Sequence, residues 1–314
     1  MTSQSLATRR TRVSVADGQA VLRAAARLTD RDRFLVRVVA EHRVLTTDQL
    51  TALAFDNIIT ARHRLDVLAR LGVLRRFRPH RASGSAAWHY LLGPLGAALL
   101  GAEDRDDKKW LPQVRAGRQV ALQRSQRLSH MTGAHWFFVS LAAHARGGGG
   151  ELRTWLSESH TAEFFYELPI SLSALASLPQ PDGLGVWAEG GREITFMLEH
   201  DTGSEHLAQL AGKLDGYVRL AEVMSRYHQQ VPPLLFCFLS PRREQTARRA
   251  LATSTDSLSL RIATGAIDPQ VTCPAEPVWM PLHGSGRQVR LIDLDSAIPD
   301  PGRRSAYSYC DPHC

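Results

Sequence analysis

The sequence predicts an α/β chain (α+β overall) made of two domains, and three observations predict it. Helix signals follow one another closely between Thr29 and Gly72 and give way to two short strand patterns that end at Leu92. From Glu151 to Leu239 strand and helix patterns alternate, the order of a mixed sheet flanked by helices. Between these regions, Asp104, Arg105, Asp106, Asp107, Lys108 and Lys109 form a charged run that reads as a solvated connector. The division is therefore a basic, flexible N-terminus over 1–27, a first domain over 28–101, a linker over 102–118, an α/β domain over 119–297 and a flexible tail over 298–314. At 314 residues and 44% hydrophobic, the chain is long enough to bury two cores.

In the first domain, Thr29 or Asp30 caps a helix whose Phe34, Leu35, Val38 and Val39 recur at helical spacing and which ends near His42. Thr46 or Thr47 caps a short second helix with Leu50, Leu53 and Ala54, and Asp56 caps a third over 57–71 that Gly72 closes. Ala61, Leu65, Leu68 and Leu71 make the apolar stripe of this third helix. Thr60, Arg62, His63, Asp66 and Arg70 lie off it. The period then shortens, and 73–78 and 87–92 read as strands around a basic hairpin tip at 79–85. Three helices and a hairpin are the order of a winged helix-turn-helix. Leu68-Ala69-Arg70-Leu71-Gly72-Val73-Leu74 resembles the L-x-x-L-G-x-L junction of recognition helix and wing in that superfamily. The resemblance implies a DNA reader. Thr60, Arg62, His63 and Arg70 would face the major groove, while Arg75, Arg76, Arg78 and Arg81 would meet phosphates from the wing. One alternative is that Arg62 and Asp66 simply form an i,i+4 pair on a solvated face, and another is that the domain is a protein-docking module.

A net charge of +7 and a pI near 9.6 favour a polyanionic partner such as DNA. Cys237, Cys273, Cys310 and Cys314 show no paired spacing, so neither a zinc ribbon nor a disulfide framework is implied, and Cys310, His313 and Cys314 belong to the tail. Arg9, Arg10 and Arg12 precede no apolar stretch, and no segment reaches membrane-spanning length, which points to a cytoplasmic protein with no membrane partner. Oligomeric state leaves no trace in the sequence.

The second domain opens with a long helix expected over 119–146, with Leu128, Met131, His135 and Phe138 near one face. Strands follow at 152–156, 182–188 and 194–201, the last two joined by Glu189-Gly190-Gly191-Arg192. Alternation places Met197, Glu199 and Asp201 on one face of the last strand and Phe196, Leu198 and His200 on the other. Ser204 caps an amphipathic helix that turns Leu207, Leu210, Leu214 and Tyr217 to the sheet, with Lys213 just off the stripe. A continuous apolar run at 234–239 reads as a buried central strand. A helix over 242–253 and strands over 278–282 and 289–294 complete the pattern.

Lys213 stands out because the chain's cations are almost all arginine: Lys108 and Lys109 are the only other lysines. An ammonium is a compact point charge that can hold a water or phosphate oxygen, which a broad guanidinium does less well. Cleaving a phosphodiester requires charge neutralisation and an activated water, and Mg²⁺ (or Mn²⁺) held by carboxylates supplies both. Asp182, Glu199 and Asp201 are the acids placed to hold it, with Lys213 as the fourth catalytic candidate and Glu158 as an additional acid. Pro181-Asp182 and Glu199-x-Asp201 resemble the PD-(D/E)xK nucleases. The usual lysine position is here Asp201, and Lys213 on the next helix takes the place of that lysine, as in some branches of the superfamily.

Trp155-Leu156-Ser157-Glu158, Pro181-Asp182-Gly183, Leu198-Glu199-His200-Asp201-Thr202-Gly203 and Lys213-Leu214-x-x-Tyr217, behind a winged helix, together resemble the replication-relaxation family of actinobacterial plasmids and integrative elements over residues 28–295. This resemblance implies a DNA-binding protein of mobile-element replication or transfer, with other replication or transfer proteins as further partners, while the resemblance to the PD-(D/E)xK nucleases implies a metal-dependent nickase or endonuclease site. The alternatives are a non-catalytic replication or transcription regulator with a degenerate nuclease-like domain, and a docking factor. No His-x-His pair of a common relaxase is present, and Tyr217 at a core-facing position reads as packing.

Overall fold

The computed structural model describes residues 18–80, 84–106, 108–125, 127–161, 178–203, 207–255, 260–283 and 286–297. The chain divides into two compact units, Met1–Thr132 and Gly133–Cys314.

In the first unit, α1 (Gly18–Ala25) precedes α2 (Asp30–His42), whose N-terminus is closed by a capping box between Thr29 and Asp32. Asp32 is fully buried and receives Arg64 Nε at 2.8 Å. Burial pushes its carboxyl up, but the bonds from Arg64 and Thr29 outweigh this and hold it below the usual carboxylate value. A second capping box, between Thr46 and Gln49, starts α3 (Thr47–Ala54) directly after the short strand β1 (Leu45–Thr46). The next helix, α4 (Ile58–Arg70), is capped by Asn57, whose side chain accepts from the Ile59 and Thr60 N–H groups, and not by the expected Asp56. Gly72, at φ 76°, ends the turn after α4 in the left-handed conformation that glycine adopts without strain. The chain then enters β2 (Leu74–Phe77), which pairs antiparallel with β3 (His89–Leu92) in a sheet of order β1-β3-β2. Three helices followed by a hairpin are thus present in the order the sequence predicts. Arg81 and the rest of 81–83 at the hairpin tip lie outside the described residues.

In the charged stretch expected as a solvated connector, Arg105, Asp106, Lys108 and Lys109 are exposed, while Asp104 at its start and Trp110 just after it are anchored in the first unit. Here α5 (Pro94–Asp104) ends on Asp104, which receives Arg37 Nη1 at 3.0 Å and the Trp110 indole N–H at 2.9 Å, and Trp110 is 3% exposed. The expected single helix over 119–146 is two: α6 (Ala116–Gln123) and α7 (Leu128–Arg146). At the break the Ser125 hydroxyl accepts the Arg127 N–H, a local bond that competes with continued helix.

The second unit is built on a six-stranded sheet of β4 (Glu151–Ser157), β5 (Gly183–Glu189), β6 (Arg192–Asp201), β7 (Leu234–Phe238), β8 (Ile262–Ala266) and β9 (Met280–Pro281), in that spatial order. The first three are antiparallel, β6, β7 and β8 are parallel, and β9 is antiparallel to β8. Gly190 and Gly191, at φ 58° and 75°, make the tight β5–β6 turn. Helices α8 (Leu207–Arg226) and α9 (Pro241–Thr255) supply the crossovers that parallel pairing requires.

The apolar residues divide by face. Leu184, Met197, Phe236, Phe238 and Ile262 pack with Leu210, Leu214 and Tyr217 of α8 and with Ala247 and Leu251 of α9. On the other face Phe196, Leu198, Leu235 and Cys237 pack with Phe137, Phe138 and Leu141 of α7. Cys237 is fully buried there, and burial pushes its thiol far above the ordinary value. Strand β8 was not evident in the sequence, and the expected strand at 289–294 is instead a single bridge, Trp279 to Val289, followed by a 3₁₀ turn over Leu291–Asp293 and the short helix α10 (Leu294–Ala297). The expected cap Ser204 and the cysteines at 310 and 314 lie outside the described residues. No helix among the described residues is long and apolar enough to cross a membrane.

Candidate functional site

In the first unit the buried stripe Ala61, Leu65 and Leu68 fixes which side of α4 faces out. Thr60, Arg62, His63 and Arg70 are exposed. The side chains of Arg62 and His63 have no hydrogen bond or ion pair among the described residues, whereas Arg64, one position on from His63, is committed to Asp32. The Arg62–Asp66 pair of the alternative reading does not form. Asp66 instead binds Arg70 through Oδ2 and Arg76 through Oδ1, the latter at 2.8 Å. Arg76 and Arg78 of the wing lie over the Trp88 ring at 4.4 and 4.2 Å, close enough for cation–π attraction, and Arg75 donates to Gln119 Oε1 at 2.8 Å. Arg70, Arg75 and Arg76 also border a groove of about 690 Å³ floored by Leu74, Leu91 and Pro94.

In the second unit the antiparallel register sets Gly183 opposite Leu198, which brings Asp182 to Glu199 at the next step. Asp182 Oδ2 accepts the His200 N–H at 2.8 Å, so its side chain continues the ladder where β5 has ended. Strand alternation then sends Glu199 and Asp201 to the face covered by α8 and α9, as the sequence predicts. Both are buried, at 4% exposure each.

Glu199 is held at both oxygens. Lys213 Nζ donates to Oε2 at 2.8 Å and the Tyr217 hydroxyl donates to Oε1 at 2.5 Å. Lys213 and Tyr217 are four residues apart on α8, which aligns them along one side of the helix. Burial first, and then the Asp182 charge, push the Glu199 carboxyl up to about 7, against the opposing pull of Lys213 and Tyr217. Burial and the Glu199 charge push the Tyr217 phenol well above its ordinary value, so it stays a neutral donor. Tyr217 is packed as expected, but its hydroxyl also grips the central acid, a role its apolar neighbours concealed.

Asp201 follows a different course. Arg243, near the start of α9, donates Nε and Nη2 to Asp201 Oδ2 at 2.9 and 2.8 Å, and Oδ1 accepts the Gly203 N–H. Thus Asp182, Glu199 and Lys213 come together, while Asp201 is closed on Arg243. Among the described residues no group of three or more His, Cys, Asp or Glu is placed to hold a metal ion. The remaining pair does fit the chemistry of Mg²⁺, which is commonly bound by one or two carboxylates with substrate phosphate oxygens and water. Glu158, on the turn after β4, belongs to a different segment, where Ser157 Oγ meets His160 Nδ1 at 3.0 Å.

A family model described as Replication-relaxation matches residues 36–234, well over half of the chain. No curated protein and no solved structure matches.

Proposed function

The chain belongs to the replication-relaxation family, and from that premise we propose that it is a DNA-binding protein acting in the replication or transfer of mobile elements. The observation that carries this reading is the exposed pair Arg62 and His63 on α4, whose side chains have no partner among the described residues, beside a wing that presents Arg75, Arg76 and Arg78. A solvated cation on a helix of groove-fitting size meets phosphates or base edges without first giving up an internal bond. The net charge of +7 supports the same partner. Fluorescence anisotropy with a labelled duplex over a salt series tests it. Binding that weakens steeply with salt is expected, because displaced counterions drive association. No binding at low salt overturns the reading.

The cluster in the second unit favours a second, compatible reading: phosphodiester cleavage at a site where Asp182 and Glu199 hold Mg²⁺ or Mn²⁺. The specific observation is two neighbouring carboxylates, one of them buried, beside the lone lysine of the unit. The ion when bound would neutralise phosphate charge and acidify a water. Lys213 would orient a phosphate or water oxygen, and Tyr217 would keep Glu199 aimed. Supercoiled plasmid incubated with Mg²⁺ or Mn²⁺ should be nicked by the native chain and not by Asp182→Ala or Lys213→Ala. An intact plasmid at every metal concentration leaves a DNA-binding regulator.

A further inference from the structure

We infer that Asp66 determines sequence specificity at the DNA face, lowering non-specific affinity while fixing the guanidinium that reads a guanine. The inference rests on the DNA-binding reading above. Asp66 is the single acid in the 13 residues of α4, and it lies four residues after Arg62 and four before Arg70 on one line along the exposed side. Both of its oxygens are engaged, one by Arg70 and one by Arg76. Arg70 is 79% exposed, so the pair adds little to stability. A carboxylate among cations that face a polyanion repels phosphates, which makes it a poor choice for affinity alone.

What Asp66 does supply is orientation. An arginine reads guanine O6 and N7 through two parallel N–H groups, and this works only when the plane of its fork is set. Arg70, the last residue of α4, holds its guanidinium in solvent at 79% exposure, and Asp66 restrains the rotation of its long side chain. The other Asp66 oxygen ties α4 to the wing, because Arg76 also lies on Trp88, which in turn carries Arg78. Helix and wing are thereby linked through one carboxylate, so a base-reading group and phosphate-facing groups keep a common register.

Selection of binding sites from a randomised duplex pool, together with anisotropy on an arbitrary duplex, tests the inference. The native chain should enrich sites that share a guanine at a fixed position. Asp66→Asn should lose that enrichment while binding the arbitrary duplex severalfold more tightly, with a salt dependence steeper by about one unit of slope for each further phosphate it neutralises. Arg70→Lys keeps the charge without the planar fork, so it should lose enrichment and leave arbitrary-duplex affinity nearly unchanged. Thermal melting of both variants verifies folding. An unchanged enriched site in either folded variant, weaker arbitrary binding by Asp66→Asn, or a native chain that binds duplex with no preference overturns the role of Asp66 alone. A native chain that binds no duplex overturns the DNA-binding reading and this inference with it.

Discussion

On α4, Arg62 and His63 are exposed and their side chains have no partner among the described residues, whereas at the end of β6 Lys213 and Arg243 are each closed on a buried carboxylate. Both arrangements place positive charge where a nucleic acid could meet it, but their physics differs. A solvated cation keeps its hydration until a partner arrives, so its loss changes binding and little else. A cation paired with a buried acid is part of the fold, and its loss strands the acid in a medium that disfavours charge. The first unit can therefore change its charged face with little effect on its core. In the second unit, chemistry and stability share the same side chains.

The sharpest way to break this contrast is Arg243→Ala, which leaves Asp201, 2% exposed at its side chain, with its main charged partner gone. Urea denaturation should show a loss of about 3–5 kcal/mol. A loss below about 1 kcal/mol would place the pair with ordinary surface bridges. Next, Glu199 gives the second unit a pH signature. Its folded value of about 7 lies above its ordinary 4.5, so its contribution to stability is full below 4.5 and is lost as pH rises through 7. The melting temperature should decline over that window, and Glu199→Gln should remove this part of the slope.

A smaller effect is expected at Gly133 of α7, where an added Cβ would lie 2.5 Å from His200 Nε2. Gly133→Ala should cost about 1–3 kcal/mol in the same denaturation assay, as overpacking does. The smallest stability effect belongs to Arg62→Ala with His63→Ala, within about 0.5 kcal/mol of the native chain. Duplex affinity should nevertheless fall, and the salt slope should decrease by about one for each phosphate left without its cation.

Local physics made much of this molecule legible in its sequence. Thr29 and Thr46 signal helix starts because a hydroxyl facing an N–H two or three residues on is a short-range event, and Asn57 could displace Asp56 because both residues can serve as that acceptor. Alternation along β6 was enough to put Glu199 and Asp201 on one face. It could not reveal what else occupies that face. Arg243 arrives from 42 residues further along the chain, as one arginine among many, and only the parallel β6–β7 pairing brings α9 to Asp201. Strand β8 was hidden for a related reason: Thr264 and Gly265 interrupt its apolar run, yet Thr264 is buried through a bond from Arg248 Nη1 at 2.9 Å that no local pattern announces. At the break after α6 the Ser125 hydroxyl takes the Arg127 N–H, and such competition with the helix is a small energy decided by its surroundings.

Cys237 sits on β7, bonded on one side to β6 and on the other to β8, with its sulfur sealed beneath α7 and its thiol held protonated. A thiol-directed reagent requires both access and the thiolate, so it can modify this residue only while the middle of the sheet is open. The rate of modification thus acts as a clock for that opening, read at a single atom. Half-buried Cys273, outside the strands, should run faster and serve as its reference.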